Sequence, residues 1–189
     1  LASLKEFVPQ ERLRVFDLSN PESMAFNPLE IGGPMEAAQR LFASLTWSEE
    51  YYKSKALSAL QQIFEIHHRK NSANPSLSDL AGYLKTAALY GANATEQGTP
   101  DEQFKKDFAE LSGLRDQVLS LCNSHLKSLL SPPAGAGVQL VEASQGVVIY
   151  FRLQSLLSPK VVSSVGKLLI NCLAYLAGTA HRETTVSAK

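Results

Sequence analysis

The chain is predicted to be mainly α-helical, a bundle set between short strands, and three observations carry that prediction. Apolar residues recur at alternating threes and fours through most of the stretch from 33 to 130. Runs rich in β-branched and aromatic residues sit at its two flanks, at 12–18 and 138–153. The punctuation inside the helical stretch is that of helix starts and stops rather than hairpin turns.

Arg12 to Leu18 reads as a short strand, with Leu13, Val15, Phe16 and Leu18 apolar and Asp17 at its end. Ser19-Asn20-Pro21-Glu22 is a turn. Asn27-Pro28-Leu29 and Gly32-Gly33-Pro34 precede a helix over 33–47, with Pro34 at the first position, where no backbone donor is needed. Met35, Ala38, Leu41, Phe42 and Leu45 mark its apolar side. Ser48 and Glu50 open a second helix over 48–70. Its stripe is Tyr52, Ala56, Leu60, Phe64 and His67, and it ends in His67-His68-Arg69-Lys70, where cations suit the helix dipole.

Ser76-Leu77-Ser78-Asp79 has the pattern of a capping box and opens a third helix over 76–89. Residues 91–98 read as a polar linker. Thr99-Pro100-Asp101-Glu102 is a strong start for a helix over 100–130, roughly 45 Å long. Ser131-Pro132-Pro133 stops it. Val138 to Val141 and Val147 to Leu153 are two returning β segments, the second with the composition of a buried strand. Ser158-Pro159 opens a final helix with Val162, Val165, Leu168, Leu169, Cys172, Leu173 and Leu176 on its apolar side. Glu183 to Lys189 reads as a frayed tail. The chain thus divides into a flanking strand at 1–25, a helical domain at 26–136 and returning β segments with a helix at 137–189. The two β flanks are expected to belong to a larger sheet.

Composition sets limits on function. The chain has 189 residues, 44% of them apolar and 19% charged, and its 18 basic side chains balance 18 acidic ones. That balance argues against a protein that coats nucleic acid uniformly, but leaves room for a local basic face. Cys122 and Cys172 lie in helical patterns and read as buried thiols. No uninterrupted run of about 18 apolar residues marks a membrane span.

Motifs of catalysis are missing. The one Gly-Lys pair, Gly166-Lys167, is followed by Leu168, and Val161 stands where a phosphate loop needs its first glycine. His67 and His68 are adjacent on a helix and point about 100° apart, so they do not chelate one ion together. No metal, no cofactor and no catalytic residue is expected. Two patches have the composition for nucleic acid: Tyr51-Tyr52-Lys53-Ser54-Lys55 mixes aromatics with cations, and His67-His68-Arg69-Lys70 is a basic helix end. Lys53, Lys55, Arg69 and Lys70 are the candidate contacts. The competing reading makes the tyrosines core and the charges a solvated face.

Two blocks carry a family resemblance. One is Arg14-Val15-Phe16-Asp17-Leu18, Phe26-Asn27-Pro28-Leu29 and Gly33-Pro34 with the helix through Leu45-Thr46-Trp47-Ser48-Glu49-Glu50-Tyr51-Tyr52-Lys53. The other is Gly146-Val147-Val148-Ile149-Tyr150-Phe151-Arg152-Leu153, Leu156-Leu157-Ser158-Pro159 and Val165-Gly166-Lys167-Leu168. Over about 12–70 and 138–182 the chain resembles the all-alpha domain of the type IV coupling proteins, the TraD/TraG-like ATPases of conjugation and type IV secretion. Residues 71–137 match it only as helix. The resemblance implies a helical domain inserted into a RecA-like core that is incomplete here, with the phosphate loop upstream of Leu1 and the magnesium-binding motif beyond Lys189. It implies a homohexameric, membrane-anchored ATPase whose all-alpha domain meets a relaxase, a relaxosome or a secreted effector at the cytoplasmic face of the inner membrane, with DNA as a possible partner.

Overall fold

The computed structural model describes residues 6–47, 50–85, 109–122, 126–154 and 158–187. They form β1 (Leu13–Asp17), α1 (Pro34–Ser44), α2 (Glu50–Asn71), α3 (Leu77–Lys85), α4 (Ser112–Leu121), α5 (Leu126–Leu130), β2 (Val148–Arg152) and α6 (Pro159–Ser187). The protein is mainly helical, with one two-stranded sheet.

Local chemistry accounts for the helix boundaries. Pro34 occupies the start of α1 and Leu45 leaves it with extended backbone. The Ser76 hydroxyl accepts from the Asp79 amide at 3.2 Å while an Asp79 carboxylate oxygen accepts from the Ser76 amide at 2.9 Å, the reciprocal pair of a capping box. The carboxyl end of α2 closes where Ser72, with φ 53, donates its amide to the His68 carbonyl at 2.8 Å. Ala56, Leu60, Ile63 and Phe64 are buried along α2 as the stripe predicts, but Tyr52 stays 42% exposed.

Three expectations change. Val138 to Val141 is not a strand: the amide of Val138 pairs with the Ala25 carbonyl, and Leu140–Gln145 winds into a 3-10 helix ended by Gly146 at φ 82. Glu142, Ala143, Ser144 and Gln145 favour turns over a ladder, and the Ser144 hydroxyl donates to the Val141 carbonyl at 2.7 Å. The helix expected over 100–130 is broken twice in its described part, by a turn at Leu111 ahead of α4 and again where α4 ends at Leu121 and the Cys122 amide bonds back to Leu119. Periodicity hides the second break, since Val118, Cys122, His125 and Leu129 remain at helical spacing. The expected tail is helical in backbone as far as Ser187. The expected start at 99–102, the linker at 91–98 and the end of the third helix at 86–89 lie outside the described residues.

β1 and β2 pair in parallel, Leu13 opposite Val148 through Asp17 opposite Arg152. The Leu18 amide donates to the Arg152 carbonyl, so the even-numbered residues of β1 and of β2 point their backbone groups at each other. On the outer edge of β1 the Ser23 hydroxyl accepts from the Asp17 amide at 2.7 Å and donates to the Val15 carbonyl at 3.2 Å. On the outer edge of β2 the backbone groups of Ile149 and Phe151 have no hydrogen-bond partner among the described residues. One sheet face carries Phe16, Leu18 and Phe151, and both phenylalanines meet Phe26; ring centroids are 5.5 Å apart for Phe16–Phe151 and 5.3 Å for Phe26–Phe151. The opposite face, with Leu13, Val15, Val148 and Tyr150, is partly open to solvent.

The irregular segment 25–33 joins sheet and helices. Phe26 donates its amide to the Leu129 carbonyl, and the Ala25 carbonyl receives the Val138 amide. The Cys172 thiol donates to the Pro28 carbonyl at 3.1 Å. Asn74 donates to the carbonyls of Leu29 and Gly32, at 3.0 and 2.9 Å. Glu30 accepts from the Gly135 amide at 2.8 Å, and Arg40 donates to the Ile31 carbonyl. The Arg40 guanidinium lies over the Tyr175 ring, 4.9 Å from its centroid, which ties α1 to α6.

Helix α6 is buried through Val161, Val165, Leu168, Leu169 and Cys172, while Ile170 is 66% and Leu173 48% exposed. Although its sequence has no unbroken apolar run, Pro159–Arg182 is long and apolar enough by length and composition to cross a membrane, with a mean hydropathy of 1.5. A third of that window is buried against the protein.

Candidate interaction surface on the long helix

Helix α2 carries all four candidate contacts, and its geometry separates them. At 100° per residue Lys55 and Arg69 lie about 40° apart around the axis and about 21 Å apart along it. Lys70 lies about 60° from Lys55 on the other side, whereas Lys53 is about 160° from Arg69. Lys55, Arg69 and Lys70 therefore share one side, and Lys53 falls on the opposite one. The span from Lys55 to Arg69 matches about six base-pair steps.

Their charge states of pairing differ as well. Lys53 meets Glu50 at 3.2 Å, an exposed pair one turn apart. Lys55 meets Glu110 at 3.5 Å, and the Glu110 side chain is mostly buried. Arg69 and Lys70 are exposed and make no ion pair among the described residues. Next to them His67 is held by Tyr83, whose hydroxyl lies 3.3 Å from Nδ1 and whose ring meets the imidazole edge to face at 5.8 Å. The basic end of α2 is thus open at Arg69 and Lys70, and its cations offset the negative end of the helix dipole.

A second feature lies at the amino end of α2. The loop Thr46-Trp47 and the first turns of α2 and α4 enclose a cleft of about 320 Å³, lined by Trp47, Tyr52, Ala56, Glu110, Gly113 and Gln117, among others. Gln117 fixes this loop: its amide oxygen accepts from the Thr46 amide at 2.8 Å and its amide nitrogen donates to the Thr46 carbonyl at 2.9 Å. The Trp47 indole donates to the Phe42 carbonyl at 3.1 Å and stacks on the Phe42 ring at 5.0 Å. Sequence reasoning missed the cleft, because Gln117 and Glu110 are some sixty residues from Tyr52 and nothing local links them. Its one visible signal was a lone tryptophan just ahead of an aromatic, charged helix start.

The third polar corner joins the carboxyl ends of the two strands. An Asp17 oxygen accepts from the Ser19 amide at 3.0 Å and the Ser19 hydroxyl at 2.6 Å, and Arg152 donates to the other oxygen at 3.3 Å. Burial pushes the Asp17 pKa upward, but the Ser19 hydrogen bonds and the Arg152 charge together hold it below the usual carboxylate value. Ligands of open parallel sheets gather at such strand ends, yet here both carboxylate oxygens are engaged within the chain.

The thiols are poor nucleophiles. Burial raises Cys122 to about 11 and raises Cys172 against the opposing charge of Arg40. Among the described residues no three metal-ligating side chains come together. The described surface carries an open basic helix end and an aromatic cleft with a carboxylate. Comparison with known protein families, characterised proteins and solved structures found no match.

Proposed function

We propose that the chain is the substrate-recognition domain of a type IV coupling protein, part of a homohexameric DNA-pumping ATPase, and that it is not itself an enzyme. The observation that carries this reading is the sheet. β1 and β2 lie side by side in parallel although more than a hundred residues separate them, so both ends of the helical domain return to one place. A parallel pair is ordinarily buried on both faces and flanked by further strands. The outer edge of β2, unpaired among the described residues, and the partly open sheet face fit a piece of an incomplete RecA-like core. The helical domain would then project from the motor at the cytoplasmic face of the inner membrane and present its surface to a relaxase, relaxosome or secreted effector, and to DNA at Lys55, Arg69 and Lys70.

Titration of labelled single- and double-stranded DNA at about 50 and 200 mM salt tests the DNA half. Two or three phosphate contacts predict a weakening of about 10- to 40-fold between those conditions. Arg69→Glu with Lys70→Glu should abolish the binding, and Lys53→Glu should leave it nearly unchanged. Absence of binding to DNA at low salt, together with none to a cognate relaxase, overturns the reading. The ion pairs at Lys53 and Lys55 favour a second reading, a structural or regulatory insertion that couples motor subunits without touching DNA. It predicts that charge reversal at all four positions leaves transfer intact.

A further inference from the structure

We infer that the cleft between the Thr46-Trp47 loop and helices α2 and α4 receives a basic side chain, an arginine above all, from a protein partner; the partner's being a transferred substrate rests on the function proposed above. The cleft holds the three parts that recognition of a guanidinium requires. Trp47 and Tyr52 supply aromatic surface. Glu110 supplies a carboxylate with a mostly buried side chain. Gly113 supplies an open floor, since a side-chain carbon there would meet nothing within 4 Å.

The walls are preorganised. Gln117 clamps Thr46 through both of its amide atoms, and Phe42 holds the indole by stacking and through its carbonyl. A rigid aromatic wall loses little freedom on binding. Lys55 already rests near Glu110 at 3.5 Å, longer than a strong charged hydrogen bond. It acts as a stand-in cation, which an incoming planar guanidinium with paired donors displaces.

Trp47 is the only tryptophan in the chain, so fluorescence excited selectively at tryptophan, beyond tyrosine absorption, reports on this cleft. The probe is the peptide acetyl-Gly-Arg-Gly-amide, compared at constant ionic strength with its citrulline counterpart. The arginine peptide should give a saturable change with a midpoint at about millimolar concentration, and the citrulline peptide should bind about tenfold more weakly. Glu110→Gln should lose about the same factor, with helicity checked by circular dichroism. Lys55→Gln should bind the arginine peptide more tightly, because the competing cation is gone. Equal response to the two peptides, no saturable change, or unaltered binding in Glu110→Gln overturns the inference. Should Glu110→Gln lose its helicity, Lys55→Gln decides: tighter binding supports the cleft and unchanged binding overturns it. The same substitution weakens DNA binding in the function proposed above, so the two ideas fail separately.

Discussion

Segment 25–33 and strand β2 differ in an instructive way. The segment has no regular structure, yet the carbonyls of Ala25, Pro28, Leu29, Ile31 and Gly32 and the amides of Phe26 and Leu29 all have partners. The strand is regular, yet Ile149 and Phe151 at its outer edge have backbone groups with no partner among the described residues. Where the backbone's hydrogen bonds go is a better guide to completeness than regularity is. By that measure segment 25–33 is tied down along its length, while the outer edge of β2 is open among the described residues.

The contrast breaks most easily in the core. Phe26→Ala removes a ring that is 1% exposed and meets both Phe16 and Phe151, so it should cost about 3–5 kcal/mol in urea unfolding. Val148→Thr, on the open sheet face, should change stability by no more than about 0.5 kcal/mol. Similar losses from both would mean that the margin is as tightly packed as the hub.

Two glycines sharpen the contrast at a smaller scale. Gly137 has φ +89, and a methyl there would run into the Ala25 carbonyl that pairs with Val138. Gly137→Ala should therefore cost about 2 kcal/mol or more. Gly113 lies in α4 with open space around it, and Gly113→Ala should stabilise by about 0.5–1 kcal/mol.

The smallest effect concerns acid. Asp17 has a folded pKa below its unfolded value, so its contribution is fully present above the ordinary carboxylate range and is lost as pH falls through the folded pKa. Asp17→Asn should flatten that part of the stability curve between about pH 5 and pH 2, measured by urea unfolding at each pH. An unchanged acid limb would show that the Arg152 and Ser19 contacts contribute nothing to stability.

How much was legible in the sequence follows from the range of each interaction. The capping box at Ser76 and Asp79, the proline start of α1 and the stripe of α2 are set within one or two helical turns, and residue spacing exposes them. The Val138–Val141 run misled because its apolar pattern matches a strand, while Glu142 to Gly146 impose turns. The break at Cys122 falls inside the stripe Val118, Cys122, His125 and Leu129, whose spacing stays helical. At the candidate surface, spacing alone sets Lys55 near Arg69 and Lys53 on the far side of α2, but it did not show that Lys53 pairs with Glu50. Nor did it show that Lys55 leans on Glu110.

By itself, the sequence determined the helical class of this protein, most helix starts and most residues of the apolar stripes, Tyr52 and Leu173 being exposed exceptions. Those properties depend on contacts between near neighbours and on periodic burial. Only the tertiary structure decided that β1 and β2 lie together in parallel, that 25–33 is the point where the elements meet, and that Trp47, Tyr52, Glu110 and Gln117 share a cleft. Such contacts join residues dozens to more than a hundred positions apart, and their energy exists only once the chain has folded back on itself.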